Sequence, residues 1–160
     1  MTVPRMGDHG GVRYLLPVVL VALTLAGCGG EVDPATTPAG KAQVRVLEDL
    51  YNGQLKRAYA SLHPAHQRLV SESQFVACSR SVVDRGGLDS IDVLDVFDQT
   101  VRIPALGKQR TKAVRVRVTS SSGESDTFVD HELRVEGRWR WVLNDAAVSA
   151  YRAGKCPGAA

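Results

Sequence analysis

Residues 114–143 read VRVRVTSSSGESDTFVDHELRVEGRWRWVL, and the period of this stretch decides the fold. Val114, Val116 and Val118 alternate with Arg115 and Arg117. Val129, His131, Leu133 and Val135 alternate with Phe128, Asp130, Glu132 and Arg134, and Trp139, Trp141 and Leu143 alternate with Arg140 and Val142. A period of two is the pattern of strands with one covered face, and the intervening glycines mark turns, so the stretch predicts an antiparallel meander. A two-residue turn at Ser122-Gly123 pairs Val116 with Val129 and Val114 with His131. At the second turn, a two-residue loop Glu136-Gly137 sets the tryptophans opposite Arg134 and Glu132. A three-residue loop, Glu136 to Arg138, instead pairs Val135 with Trp139, Leu133 with Trp141 and His131 with Leu143. The longer loop gathers the apolar side chains and is the one expected, with Gly137 supplying a positive-φ position. On that register His131 lies on the apolar face between Val114 and Leu143, and Arg115 faces Asp130 across the solvent side.

Upstream of the meander, Ile91 and Val93 begin a strand that Val101 and Ile103 extend through a bend or bulge near residues 97–100, followed by a loop over 105–110. Before residue 84 the period is helical. Val44, Leu47, Leu50 and Tyr51, then Leu55, Ala58, Tyr59 and Leu62, recur at spacings of three and four. Asn52-Gly53 interrupts this stripe and His63-Pro64 ends it, since a residue before proline avoids the helical region. A short helix follows near residues 65–69. Ser71, three residues before Gln74, is a cap for a further helix carrying Phe75, Cys78 and Val82 on one face, which Gly86-Gly87 stops. Helices followed by a meander give an α+β fold, with the helices on one face of a curved sheet.

The first 27 residues are of another kind. Arg5 and Arg13 give a positive start, and Tyr14 to Ala26 is an uncharged apolar run, short of the roughly 20 residues of a spanning helix. It ends in Leu25-Ala26-Gly27-Cys28, which resembles the lipobox of bacterial lipoproteins. The expectation is a signal peptide over 1–27, cleavage before Cys28 and diacylglycerol on its thiol, holding the chain on the outer face of the cell membrane. Residues 28–40 then read as the lipidated cysteine and a flexible tether, and 41–160 as a single domain. With Cys28 committed to lipid, Cys78 and Cys156 are an even pair in an oxidising compartment and are expected to form a disulfide. The formal charge of +3 is mild and gives no reason to expect nucleic acid.

The order of elements resembles the nuclear transport factor 2-like superfamily over about residues 41–150. The marks are the aromatic-bearing first helical stretch, the helix containing Phe75-Val76 and Cys78, and the closing strand 137–143, GRWRWVL. More narrowly, it resembles small secreted actinobacterial lipoproteins of that fold. The resemblance implies a cone-shaped sheet around a pocket, enzymes in some members, binding or pairing in others, and frequent sheet-to-sheet dimers. The candidate pocket is His131, Tyr51, Tyr59, Phe75, Val114, Trp139, Trp141 and Leu143. His131 is the best single candidate for chemistry, yet Asp130 and Glu132 point away from it on the expected register. His63 and His66 form His-x-x-His around Pro64 with no third ligand, so no metal is expected, and no cofactor motif is present. Arg115, Arg117, Arg134 and Arg140 dot the outer sheet face and could meet anionic headgroups. The leading expectation is a non-catalytic, lipid-anchored binding or interaction domain of the cell envelope. One alternative is a small apolar-ligand binder, or an isomerase or dehydratase, using the cavity around His131. Another is an accessory to cell-wall machinery, with an envelope protein or a second copy as partner.

Overall fold

The computed structural model describes residues 32–83 and 87–158, so the expected signal peptide, Cys28 and Gly86 lie outside the described residues. Residues Glu31–Ala160 form one compact unit. Its helices are α1 (Pro38–Tyr51), α2 (Leu55–Ser61), α3 (Pro64–Gln67), α4 (Glu72–Val83) and α5 (Asp145–Arg152). Its strands are β1 (Leu88–Ile103), β2 (Gly107–Ser120), β3 (Ser125–Val135) and β4 (Arg138–Val142), in one antiparallel sheet of order β1-β2-β3-β4. No helix among the described residues is long and apolar enough to cross a membrane.

Within the stretch 28–40 expected to be a flexible tether, the residues from Pro34 onward are structured. A single 3-10 turn covers Pro34–Thr36, and α1 begins at Pro38. Thr37 caps α1, its Oγ1 accepting from Gly40 N at 3.0 Å, and proline at the first helical position needs no donor there. Gly40 packs so tightly on the turn that a Cβ would strike the Pro34 carbonyl. From there Ala39, Gln43, Val46, Leu47 and Leu50 form the buried face of α1. Asn52 and Gly53, the latter at φ 70°, end the helix as the sequence indicates. The Ser71 cap also forms, with Gln74 N donating to its Oγ at 3.2 Å.

In the sheet, β1 is continuous. Its irregularities fall at Leu88/Ser90 and Val93/Asp95 instead of residues 97–100. The expected loop over 105–110 is a tight turn at residues 104–106, with Leu106 N donating to Ile103 O at 3.1 Å, and β2 already starts at Gly107.

The larger correction concerns β3. The two hairpin loops have exchanged lengths. The first is the longer: Ser120 N donates to Glu124 O at 2.9 Å, and Gly123 takes φ 85° as the last residue of a three-residue loop. The second is the two-residue loop, with Glu136 at φ 50° and Gly137 at φ 80°, so Val135 pairs with Arg138. Val116 therefore pairs with Phe128, Val114 with Asp130, and Glu132 with Trp141. The two shifts of one residue cancel for β4, whose tryptophans face the core as expected, but they turn β3 over. Arg115 lies opposite Val129, with its guanidinium over the Phe97 ring at 5.6 Å, and makes no pair with Asp130.

The core joins the buried faces of α1, α2 and α4 to Val114, Val116 and Val118 of β2. Helix α5 closes one end of it with Val148 and Tyr151. Asn144 caps this helix, Gln74 Nε2 donates to Tyr151 O at 2.8 Å, and the segment beyond delivers Cys156 to Cys78, where the expected disulfide forms. The bridge closes a loop across 78 residues of sequence. Reducing it, or making C156S, is expected to cost about 2–5 kcal/mol in urea unfolding, and an unchanged midpoint would count against a structural role.

His66 is fully buried and locks three elements together. Its Nδ1 accepts from Leu143 N at 2.8 Å, which assigns the proton to Nε2, 3.0 Å from the Pro104 carbonyl. Burial holds the ring's pKa below the ordinary 6.5, with the Pro104 bond opposing the shift. Because the folded protein favours neutral His66, its contribution to stability is present above that value and fades as pH falls below it. H66A strands a buried donor and a buried carbonyl and should cost about 2–4 kcal/mol, with a weaker acid sensitivity than wild type between neutral and mildly acidic pH.

Candidate functional site: a buried carboxylate pair

The turned β3 changes the candidate site. Tyr59, Phe75, Val114, Trp141 and Leu143 do meet in the core. Tyr59 and Phe75 lie 5.6 Å apart between ring centroids, and Phe75 and Trp141 lie 6.2 Å apart edge to face. Tyr59 Oη donates to the Gln67 and Val70 carbonyls, both at 3.1 Å. Tyr51 and Trp139 pack at the margin of this cluster. These rings pack on one another as core, which is the commoner use of aromatic residues.

His131 does not join them. It lies on the outer sheet face, half-buried, with Nε2 at 2.9 Å from Gln99 Oε1. The two span Ala113, which is completely covered. Burial lowers the His131 pKa, but no carboxylate among the described residues bonds to the ring. His63 and His66 are bound to backbone groups of the fold, and no group of His, Cys, Asp or Glu suited to a metal exists among the described residues.

In place of His131, β3 sends Asp130 and Glu132 inward. Gln43 of α1, fully buried, donates from Nε2 to Asp130 Oδ2 at 2.6 Å. Glu132 is only 1% exposed, and neither of its carboxyl oxygens has a partner among the described residues. Gln43 Oε1 and Trp141 Nε1 are likewise buried and unpartnered. Lys112, opposite Glu132 across the strand, reaches Asp98 at 3.0 Å instead.

The electrostatics follow from this placement. Burial and the neighbouring Asp130 charge push the Glu132 carboxyl up to about 8, so it holds its proton at neutral pH. Burial also lifts Asp130, to about 6, against the pull of the Gln43 amide and of the Trp141 indole, which is near enough to favour the anion but outside hydrogen-bonding geometry. Asp130 keeps some solvent contact, and Glu132 keeps almost none. The arrangement offers one carboxylate, one neutral carboxyl, an amide oxygen and an indole N–H around one interior point. It can accept and donate hydrogen bonds. The sequence carried this site in the Asp-x-Glu repeat of β3, but only the turn lengths say which face it occupies.

No protein-family model and no curated protein matches this sequence. Solved structures do resemble it. One is a proposed NTF2-like transpeptidase from Campylobacter jejuni, with a TM-score of 0.53 at 11% identity, covering 68% of this chain and 100% of that one. Another is Aln2 from a Streptomyces species, with a TM-score of 0.35 at 17% identity, covering 72% of this chain and 94% of that one. The helices, the four-stranded antiparallel sheet and the first of these likenesses make the fold α+β and NTF2-like, a fold that includes ligand binders and enzymes.

The Glu132 proton gives a test. The free carboxyl has an ordinary value of 4.5 and the folded one about 8, so folding favours the protonated form. Its contribution is full below the lower value and is lost as pH rises through the higher one. E132Q keeps the shape without the ionisation. It should unfold at a higher temperature than wild type under mildly alkaline conditions and flatten the pH profile there. Parallel profiles would remove the buried-acid assignment.

Proposed function

We propose that this chain is a lipid-anchored, extracytoplasmic binding domain of the bacterial cell envelope, non-catalytic, with the Gln43–Asp130–Glu132–Trp141 cluster as its ligand recess. The observation that carries the binding reading is Glu132. A buried carboxyl with both oxygens unpartnered costs stability, and a fold retains such a group where something else completes its hydrogen bonds. The groups left open are the Gln43 amide oxygen, the protonated Glu132 carboxyl and the Trp141 indole N–H, so the ligand is a small polar molecule that both donates and accepts hydrogen bonds, not the apolar one expected around His131. The address rests on LAGC at residues 25–28, and the Cys78–Cys156 disulfide supports it, because such bonds persist in oxidising compartments.

A second reading is favoured by the same pair. Two neighbouring acids with raised and separated pKa values suit proton transfer, with Asp130 as base and Glu132 as acid, in an isomerase or dehydratase. The accessory role in cell-wall machinery draws on the Campylobacter jejuni neighbour, which is described as a transpeptidase. A homodimer would use the outer sheet face, where Val129 is 37% exposed.

The test is native mass spectrometry of the protein purified from its own envelope. The mature mass should begin at Cys28 and carry diacylglycerol, and a high-salt wash should release C28S, but not wild type, from the membrane fraction. A small polar ligand should travel with wild type and be lost from E132Q. Ligand turnover during incubation, absent in E132Q and D130N, would move the assignment to the enzyme reading. An unlipidated mature chain would remove the anchor.

A further inference from the structure

We propose that the basic groove between α1, α2 and the β3–β4 turn seats anionic phospholipid headgroups, docking the domain face-on to the membrane that holds Cys28. The proposal rests on the lipid-anchor reading. The groove encloses about 890 Å³ and lies apart from the carboxylate recess. Lys41 and Arg45, one helical turn apart on α1, line one wall, and Arg138 and Arg140 of β4 line the other, with Trp139 between them.

Charge is uncompensated there. Lys41, Arg45 and Arg138 have no carboxylate within ion-pair reach among the described residues. Of the two acids in the groove, Asp49 is taken by Arg57 at 2.7 Å, which leaves Glu48. Arg140 donates one N–H to the Ala60 carbonyl at 2.7 Å, and its buried Nε has no partner. On the outer sheet face, by contrast, Arg115 and Arg117 have acids as cross-strand neighbours, Asp95 and Asp92.

Position selects the occupant. Thr36 and Pro38 form one margin of the groove, at the point where the chain arrives from Cys28. The eight residue-to-residue steps from Cys28 to Thr36 span at most about 28 Å when fully extended. A domain held that close meets the surface potential of an anionic leaflet whenever its basic side turns toward it, and each Lys or Arg at the surface strengthens binding about fivefold. Trp139 adds an indole of the kind that favours the headgroup region.

The experiment is vesicle co-sedimentation of the mature-length chain carrying C28S, which contains the whole compact unit and no acyl group. Binding is expected to phosphatidylglycerol-containing vesicles and not to phosphatidylcholine alone, and it should weaken with added salt. K41Q and R138Q, both at exposed positions, should each lower it about fivefold. R115Q and R117Q should leave it unchanged, and all four variants should melt with the parent. Equal binding to both vesicle types, no binding to either, or losses confined to R115Q and R117Q would overturn the groove. The anchor is read separately from the mass of wild-type Cys28, so its failure cannot be confused with that of the groove.

Discussion

Glu136 and Gly137 both adopt positive φ, and this tight connection sets the direction in which every side chain of β3 points. For glutamate that conformation costs about 1–2 kcal/mol, because its Cβ crowds the following carbonyl. The return is the pairing of Val135 with Arg138 and the placement of Trp139 and Trp141 against the helices. Since side chains alternate with period two, the same turn commits Asp130 and Glu132 to the interior and His131 to the outside. The helical layer supports that choice from the other side, where Gln43 meets Asp130 at 2.6 Å.

The interior thus contains two kinds of surface with opposite energetics. Around Tyr59, Phe75 and Trp141 it is apolar and closely packed, and its one deep histidine, His66, has both nitrogens engaged. Opposite Trp141 on the neighbouring strand, Glu132 is just as deeply buried, and nothing among the described residues engages its carboxyl. Holding Glu132 protonated removes the cost of a buried charge but leaves the hydrogen bonds unmade. Both regions sit on a helix and strands, not on loops, so the polar groups are held in place by the packing beside them.

Much of this was legible in the sequence. Helix breaks at Asn52-Gly53 and Pro64, the Ser71 cap, the meander and the Cys78–Cys156 bridge follow from local rules whose physics is contained in a few residues. The start of the fold was less legible, because Pro34–Gly40 is loop-like in composition, and only the Thr37 cap and the close approach of Gly40 make it structure. The orientation of β3 was not legible. Ser122-Gly123 is an ordinary two-residue turn signal, and Glu136-Gly137 is a poor one. The choice between them is made by whether Val129 and Leu133, or Asp130 and Glu132, face α1. Hydrophobicity alone selects the first, and the structure adopts the second.

The proposed binding role of the carboxylate pair rests on that reversal. A sequence optimised only for stability would place valine, histidine and leucine inward on β3 and both acids in water. The opposite placement loses apolar burial and adds an unpartnered carboxyl, and exchanging the loop lengths was open to the chain. Helix α1 ties the consequence to the rest of the surface. Gln43 points to the acids while Lys41 and Arg45, two residues to either side, line the basic groove. Helix α1 thus carries one wall of the basic groove on one side and, through the Gln43–Asp130 bond, ties the helical layer to the carboxylate pair on the other.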